Sequence, residues 1–347
     1  MAPPLPLVSV NLATVPIETF CYAIFFILNM ASVAIQVISH TRRETVRSGF
    51  YAKLWGLLKN PMFLGTVALF ITVTGHWICT IIRLFDAFVN FKGGTQALEY
   101  YADLSQISEV VKTGFLMASL CIGDSMIIYR VWVVWGHKTS VIIFPLLTLA
   151  GLTVCGIGIT YQFTQYFPGL DVFNSDAGRW ITSDCAFTLS TNLYSTAMIA
   201  FKIWTTDRNL QRSGTVKSGM GLKDTLNILV ESAAIYTSWT IFFFASYQSG
   251  SNLQFNAVDV WPEMAGISAT LINVRAGLGS TFQISSSQNA SASYAQASYR
   301  MNRNLGSQQD RAQYPMQPLS VNISTVVDRN PGGDNDSLEL GVKGGSS

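Results

Sequence analysis

Gly123-Asp124-Ser125-Met126-Ile127-Ile128-Tyr129-Arg130-Val131-Trp132-Val133-Val134-Trp135 closes an apolar run that begins near Val110. A helix needs about 20 residues, at ~1.5 Å each, to cross the ~30 Å hydrocarbon core of a bilayer, and this run is long enough. It carries one acid, Asp124, near its middle. At one end it carries a Tyr-Arg-Val-Trp cluster, Tyr129 to Trp132. Aromatic rings and snorkelling cations favour the membrane–water boundary, so the stretch reads as the lower half of a membrane-spanning helix.

The composition extends that reading to the chain. Of 347 residues, 49% are hydrophobic and 12% charged; the mean hydropathy is +0.31. Soluble domains carry about 25% charged residues. A net charge of +2 gives no footprint for nucleic acid. The five cysteines, Cys21, Cys79, Cys121, Cys155 and Cys185, show no Cys-x-x-Cys and no close spacing to histidine, which argues against a zinc module. The first 17 residues hold no Lys or Arg, so the first apolar run reads as a retained span rather than a secretory signal.

Seven spans are expected: Ile17–Ser39, Met62–Ile82, Val110–Trp135, Val141–Phe163, Cys185–Trp204, Thr225–Tyr247 and Val260–Leu278. The last is interrupted by Glu263, Asn273 and Arg275, and a polar span should face a bundle interior. Arg42, Arg43, Arg47, Lys53 and Lys59 fill the first connection, Lys138 the third, and Arg208, Arg212, Lys217 and Lys223 the fifth. The alternate side holds only Arg83, Lys92 and Arg179. Positive charge marks the cytosolic side. The expected fold is an all-α, seven-transmembrane-helix bundle, N-out and C-in. It has an extracellular N-terminus over 1–16, a membrane domain over 17–281 and a disordered, Ser-rich cytosolic tail over 282–347. Within the first connection Phe50, Leu54, Leu57 and Leu58 fall at i, i+4, i+7 and i+8. That spacing fits either a short interfacial helix or an early start to the second span.

The polar residues inside these spans are the candidate site. Asp124 must be neutral or satisfied by another helix, and Asn273 and Thr270 lie at comparable depth. Arg130 is six residues on, about 240° around the helix, so it is no easy partner. Glu231 and Arg275 lie ~5–9 Å inside consecutive spans from the same face. They are expected to pair, with Arg130 as rival or third member, as a switch or as a permanent bridge. Cys79 and Cys185 fall near the outer ends of their spans. They could form a disulfide or remain two buried thiols.

Three motifs together resemble one family: Asp124 to Trp135, Glu231-Ser232-Ala233-Ala234-Ile235-Tyr236-Thr237, and Ile272-Asn273-Val274-Arg275-Ala276-Gly277-Leu278-Gly279. They resemble the seven-transmembrane proteins of mushroom-forming (basidiomycete) fungi over roughly residues 15–282. The resemblance implies the fold and transfers no functional residue.

Residues exclude several seven-span functions. A retinal protein needs a lysine in its last span, and Val260–Leu278 has none. A seven-span zinc hydrolase needs several membrane histidines. Here His40 and His137 fall in connections and only His76 lies in a span. There is no Gly-x-Ser-x-Gly, phosphate loop or paired-carboxylate motif, so no enzyme, cofactor or metal is expected. A transporter would line a path with polar groups, and Asp124, His76, Glu231 and Arg275 are available. Yet the helix breakers are few, Pro145 and Pro262. The architecture, the basic face and the Ser-rich tail fit a receptor-like sensor of the plasma membrane or an endomembrane. Its expected partners are the lipid bilayer, a small-molecule ligand and a cytosolic signalling protein at the basic face. That function is analogy from architecture.

Overall fold

The computed structural model describes residues 6–43, 55–165, 176–212, 222–275 and 277. The tail, and Phe50 and Leu54 of the first connection, lie outside them. Every regular element among the described residues is helical. The α-helices are α1 (Leu7–Arg43), α2 (Pro61–Phe85), α3 (Ala97–Ala102), α4 (Ile107–Val134), α5 (Ile143–Thr164), α6 (Asp176–Arg212), α7 (Leu222–Gln248) and α8 (Leu253–Asp259). A ninth, α9, covers 261–275, and among the described residues one further helical turn covers 55–58, ahead of α2. Among the described residues, four helical stretches are long and apolar enough to cross a membrane: Leu7–Thr41, Pro61–Gly94, Ile107–Val134 and Ile143–Thr164.

Helix boundaries follow local chemistry. Asn60 caps α2, its side chain accepting from the Met62 amide, and Pro61 takes the first helical position, where a missing N–H costs nothing. At the other end α2 runs into a π-turn, Asp86–Asn90, and a 3₁₀ turn, Phe91–Gly94. Gly94 has φ of +78°, and a Cβ there would sit 2.1 Å from the Phe88 carbonyl oxygen, so only glycine fits the reversal. Helix α1 begins at Leu7, inside the segment 1–16 that the sequence reading assigned to an extracellular N-terminus.

Sequential long helices pack antiparallel. Tyr22 meets Thr74, a Cβ at Gly75 would touch the Phe115 ring and one at Gly156 the Met117 side chain, Thr191 bonds Thr148 and Ser268 bonds the Ser232 carbonyl. Helix α9 closes the bundle: a Cβ at Gly266 would lie 2.6 Å from the Phe25 ring of α1, and Arg130 of α4 reaches the Ala269 carbonyl. One end carries the turns at 86–106 and α8; we call it the cap end. The other carries Lys59, Lys138 and Arg208; we call it the basic end.

The burial pattern is that of a protein in lipid. Phe20 is 67% exposed, Ile27 68%, Leu147 68% and Ile157 67%, whereas Glu18 and Glu263 are 0% and His76 and Asp184 1% exposed. Water would drive those large apolar side chains inward. A hydrocarbon solvent tolerates them outside and drives polar groups to the interior. Helix α9, whose polar residues would face lipid badly, is buried at every residue from 265 to 270.

Candidate functional site

Helix α2 presents His76, Thr80 and Arg83 at i, i+4 and i+7, one polar stripe on an otherwise apolar helix. The stripe meets acids from three other helices at the cap end. Glu18 of α1 accepts from Thr80 Oγ1 at 3.1 Å, and its Oε1 lies 3.1 Å from His76 Nδ1. Glu263 of α9 brings Oε1 to 3.9 Å from the same nitrogen. Arg83 Nε lies 2.9 Å from Glu109. Lys112, one turn beyond Glu109 on α4, sits 3.3 Å from it and 2.8 Å from Asp259 of α8. The sequence reading counted Arg83 among the connection charges; the structure corrects this, since Arg83 is 3% exposed inside the bundle. The two cations and two anions of the Arg83, Glu109, Lys112 and Asp259 group balance, as a water-poor interior requires.

Below this cluster lies a cavity of about 70 Å³. Its polar lining comes from His76, Glu109, Lys112, Asp184 and Asp259; Leu116, Ile159, Phe243 and Trp261 supply apolar wall. The Asp184 carboxyl is buried, and its Oδ1 has no hydrogen-bond partner. Leu116, Leu120, Tyr236, Phe243, Trp261 and Ala265 form one packed apolar cluster. Together they make a waist between this cavity and a smaller one, about 30 Å³, lined by Asp124, Arg130 and Asn192.

Asp124 is buried at 3% exposure, but its partner is not α9. It accepts from Thr188 Oγ1 of α6 at 3.0 Å, and that hydroxyl is 2.7 Å from Tyr236 Oη of α7. Thr270 instead bonds the Gly266 carbonyl of its own helix. The reason is angular. Asp124 and Arg130 leave α4 about 240° apart, so Asp124 faces α6 while Arg130 faces α9.

Arg130 donates to the Ala269 carbonyl and to Asn273 Oδ1. Asn273 in turn donates to Thr66 Oγ1 at 3.3 Å, a hydroxyl that Gln36 of α1 also reaches at 3.1 Å. Glu231 and Arg275 do meet, at 3.2 Å. The expected third member is absent from the pair, because Arg130 is taken up by neutral acceptors. The Arg275 and Glu231 side chains are 37% and 66% exposed, so the pair sits on the surface. All five cysteines are free thiols, so of the two alternatives for Cys79 and Cys185 the structure has the thiols, with Cys185 buried and Cys79 partly so. Helix α2 packs on α1 and α4, and α6 on α4, α5 and α7. Cys185 is spent in the apolar waist cluster.

Outside the long helices the cap is held by its own chemistry. Burial pushes the Tyr101 hydroxyl up to about 12. Burial also works against ionisation of Asp103, but donors from the Ser105 hydroxyl and amide and from Gln106 outweigh it and hold the carboxyl below its ordinary range. Asp103 thereby fixes the entry to α4.

Sequence reasoning missed Glu18, His76, Glu263, Glu109, Lys112 and Asp259 as a group. The legible signal was the polar stripe on α2; nothing in the sequence indicated which acids would meet it. Comparison of the chain with protein-family models, with curated proteins and with solved structures found no match.

Proposed function

We propose that this membrane-embedded chain is a receptor-like sensor that takes a small ligand into the cap-end cavity. In this reading all seven long helices span, the cap end faces outside and the basic end faces the cytosol, where a signalling protein docks. It belongs with the fungal seven-transmembrane proteins that it resembles. With Arg83 withdrawn into the interior, only Lys92 and Arg179 remain to the cap-end connections, which sharpens the charge asymmetry behind the orientation.

The observation that carries the proposal is the cavity itself. It is walled by apolar side chains, Asp184 with its unpartnered carboxylate oxygen is among its lining residues, and the apolar waist closes it below. Such a site fits a small, mainly apolar molecule with one donor or cationic group to place on Asp184. Purified protein in nanodiscs, screened against apolar amines and alcohols by thermal shift, should give ligands whose affinity falls at least ~10-fold in Asp184→Asn, the size of one lost charge-assisted hydrogen bond. Hits unaffected by Asp184→Asn and by Leu116→Trp would defeat the assignment.

A transporter of protons or small solutes is the second reading, favoured by Asp184 and Asp124, two buried carboxyls that line the upper and the lower cavity. Proteoliposomes loaded with a pH-sensitive dye separate the two. A proton or solute flux abolished by Asp124→Asn favours transport; ligand binding without flux favours the sensor.

A further inference from the structure

Three ligand-type side chains from three different helices converge in the dry interior of the cap end. Glu18 (α1), His76 (α2) and Glu263 (α9) place one ligand atom each within 4.8 Å of one another, and all three are buried. Neither oxygen of Glu263 has a hydrogen-bond partner, nor does Glu18 Oε2, and both side chains are 0% exposed. A carboxylate is the strongest acceptor among the side chains, and leaving one unpartnered away from water is costly. Of the other interior acids, Glu109 and Asp259 are served by Arg83 and Lys112 and Asp124 by Thr188, while Asp184 leaves one oxygen, Oδ1, unpartnered.

We propose that Glu18, His76 and Glu263 form a binding site for a divalent transition-metal cation of the Zn²⁺ type. The charges favour it. Two carboxylates and one neutral imidazole sum to −2, which one M²⁺ cancels, giving the same balance as the neighbouring Arg83, Lys112, Glu109 and Asp259 group. The donor set selects the metal class. An imidazole nitrogen suits Zn²⁺, Fe²⁺ or Ni²⁺ better than Mg²⁺ or Ca²⁺, which require more oxygen ligands. Three protein ligands are the complement of a site with an open fourth position. The geometry is within reach. Bonds of ~2.0–2.1 Å in a tetrahedron set ligand atoms about 3.3 Å apart, so the outer pairs close by roughly 1–1.5 Å through glutamate rotamers. Thr80, donating to Glu18 Oε1, orients that carboxylate as an outer-shell partner does. His76 also lines the cap-end cavity, so the ion would lie beside the ligand space. This ion site is independent of whether the cavity serves a receptor.

The test uses the full chain in lipid nanodiscs, stripped with chelator and titrated with Zn²⁺. One tightly held ion per chain is expected, with an X-ray absorption shell of N and O at ~2.0–2.1 Å and no sulfur at ~2.3 Å. Mg²⁺ and Ca²⁺ in large excess should not displace it. Glu263→Gln and His76→Gln should each weaken binding by at least ~100-fold, and Thr80→Val by ~10–100-fold. Glu263→His, which keeps a ligand, should retain the ion. If Glu263→Gln fails to fold, the unmutated protein still decides. A melting temperature that rises with Zn²⁺ concentration, together with a sulfur-free shell, supports the site. A sulfur shell, an absence of any bound ion, or binding that survives His76→Gln and disappears in His137→Gln overturns it.

Discussion

The two ends of the bundle handle charge in opposite ways. At the cap end, Arg83, Glu109, Lys112 and Asp259 are between 3% and 9% exposed and share their ion pairs across three helices. At the basic end, Glu231 and Arg275 form one pair with 66% and 37% of their side chains exposed. A surface pair contributes about 0–1 kcal/mol, because water or headgroups satisfy each partner alone. A buried group is different. Its formation adds little, since desolvation offsets attraction, but removing one member strands an unmatched charge. The cap-end ions therefore specify how α2, α4 and α8 meet, while the basic-end pair adds little to a contact between α7 and α9 that the Ser268–Ser232 bond and apolar packing already hold.

The largest effect tests the buried side. Lys112→Met leaves Glu109 and Asp259 short of a cation and should cost about 3–5 kcal/mol in reversible unfolding from mixed micelles. The double variant Lys112→Met with Asp259→Leu removes a matched pair and should recover most of that loss. A single variant as stable as the parent would erase the contrast between the ends.

Packing gives the next effect. A Cβ on Gly266 meets the Phe25 ring at 2.6 Å, so Gly266→Val forces α1 and α9 apart and should cost about 1–3 kcal/mol. The compensating Phe25→Ala change, made together with it, should return part of that stability. Thr188→Val sharpens the picture at the waist. It deprives Asp124 of its one hydroxyl donor and should cost about 1–3 kcal/mol, whereas Asp124→Asn, whose amide still meets the hydroxyl, should cost less.

At the basic end Glu231→Gln and Arg275→Gln should each change stability by no more than about 1 kcal/mol. If a signalling readout is established, a rise in basal output in either variant would give the pair a switch role that its stability contribution does not suggest. The smallest effect is local. Asp103 titrates below its ordinary range in the fold, so it contributes stability above the unfolded value of ~3.9, and that contribution is lost as pH falls through its folded value. Protection factors of the 103–110 amides, corrected for intrinsic exchange, should fall at pH 3 relative to pH 6, and that fall should be absent in Asp103→Asn.

Helix positions were readable from the chain because a bilayer imposes one requirement on every span, an apolar length, and that requirement is local. The structure has a helix over each of the runs read from Ile17, Met62, Val110, Val141, Cys185, Thr225 and Val260, with α1 and α6 extending well past theirs, and among the described residues the first four are long and apolar enough to cross a membrane. The polar interruption of the last run also carried its meaning, since α9 is the helix with the longest buried stretch. The Glu231–Arg275 contact was legible too, because consecutive antiparallel helices bring equal depths together.

Partner choice among the interior charges was decided only in three dimensions. Lys112 and Asp259 are 147 residues apart, and Asp124 finds Thr188 rather than Asn273 because of the direction in which α4 turns it. Sequence determined how many residues of each kind had to lie in lipid or out of it, since transfer free energy belongs to the residue. Only the packing of the helices determined which acid met which base, and left Glu263 facing His76 with both oxygens unclaimed, since those contacts depend on helix rotation and neighbour order, which no local pattern encodes.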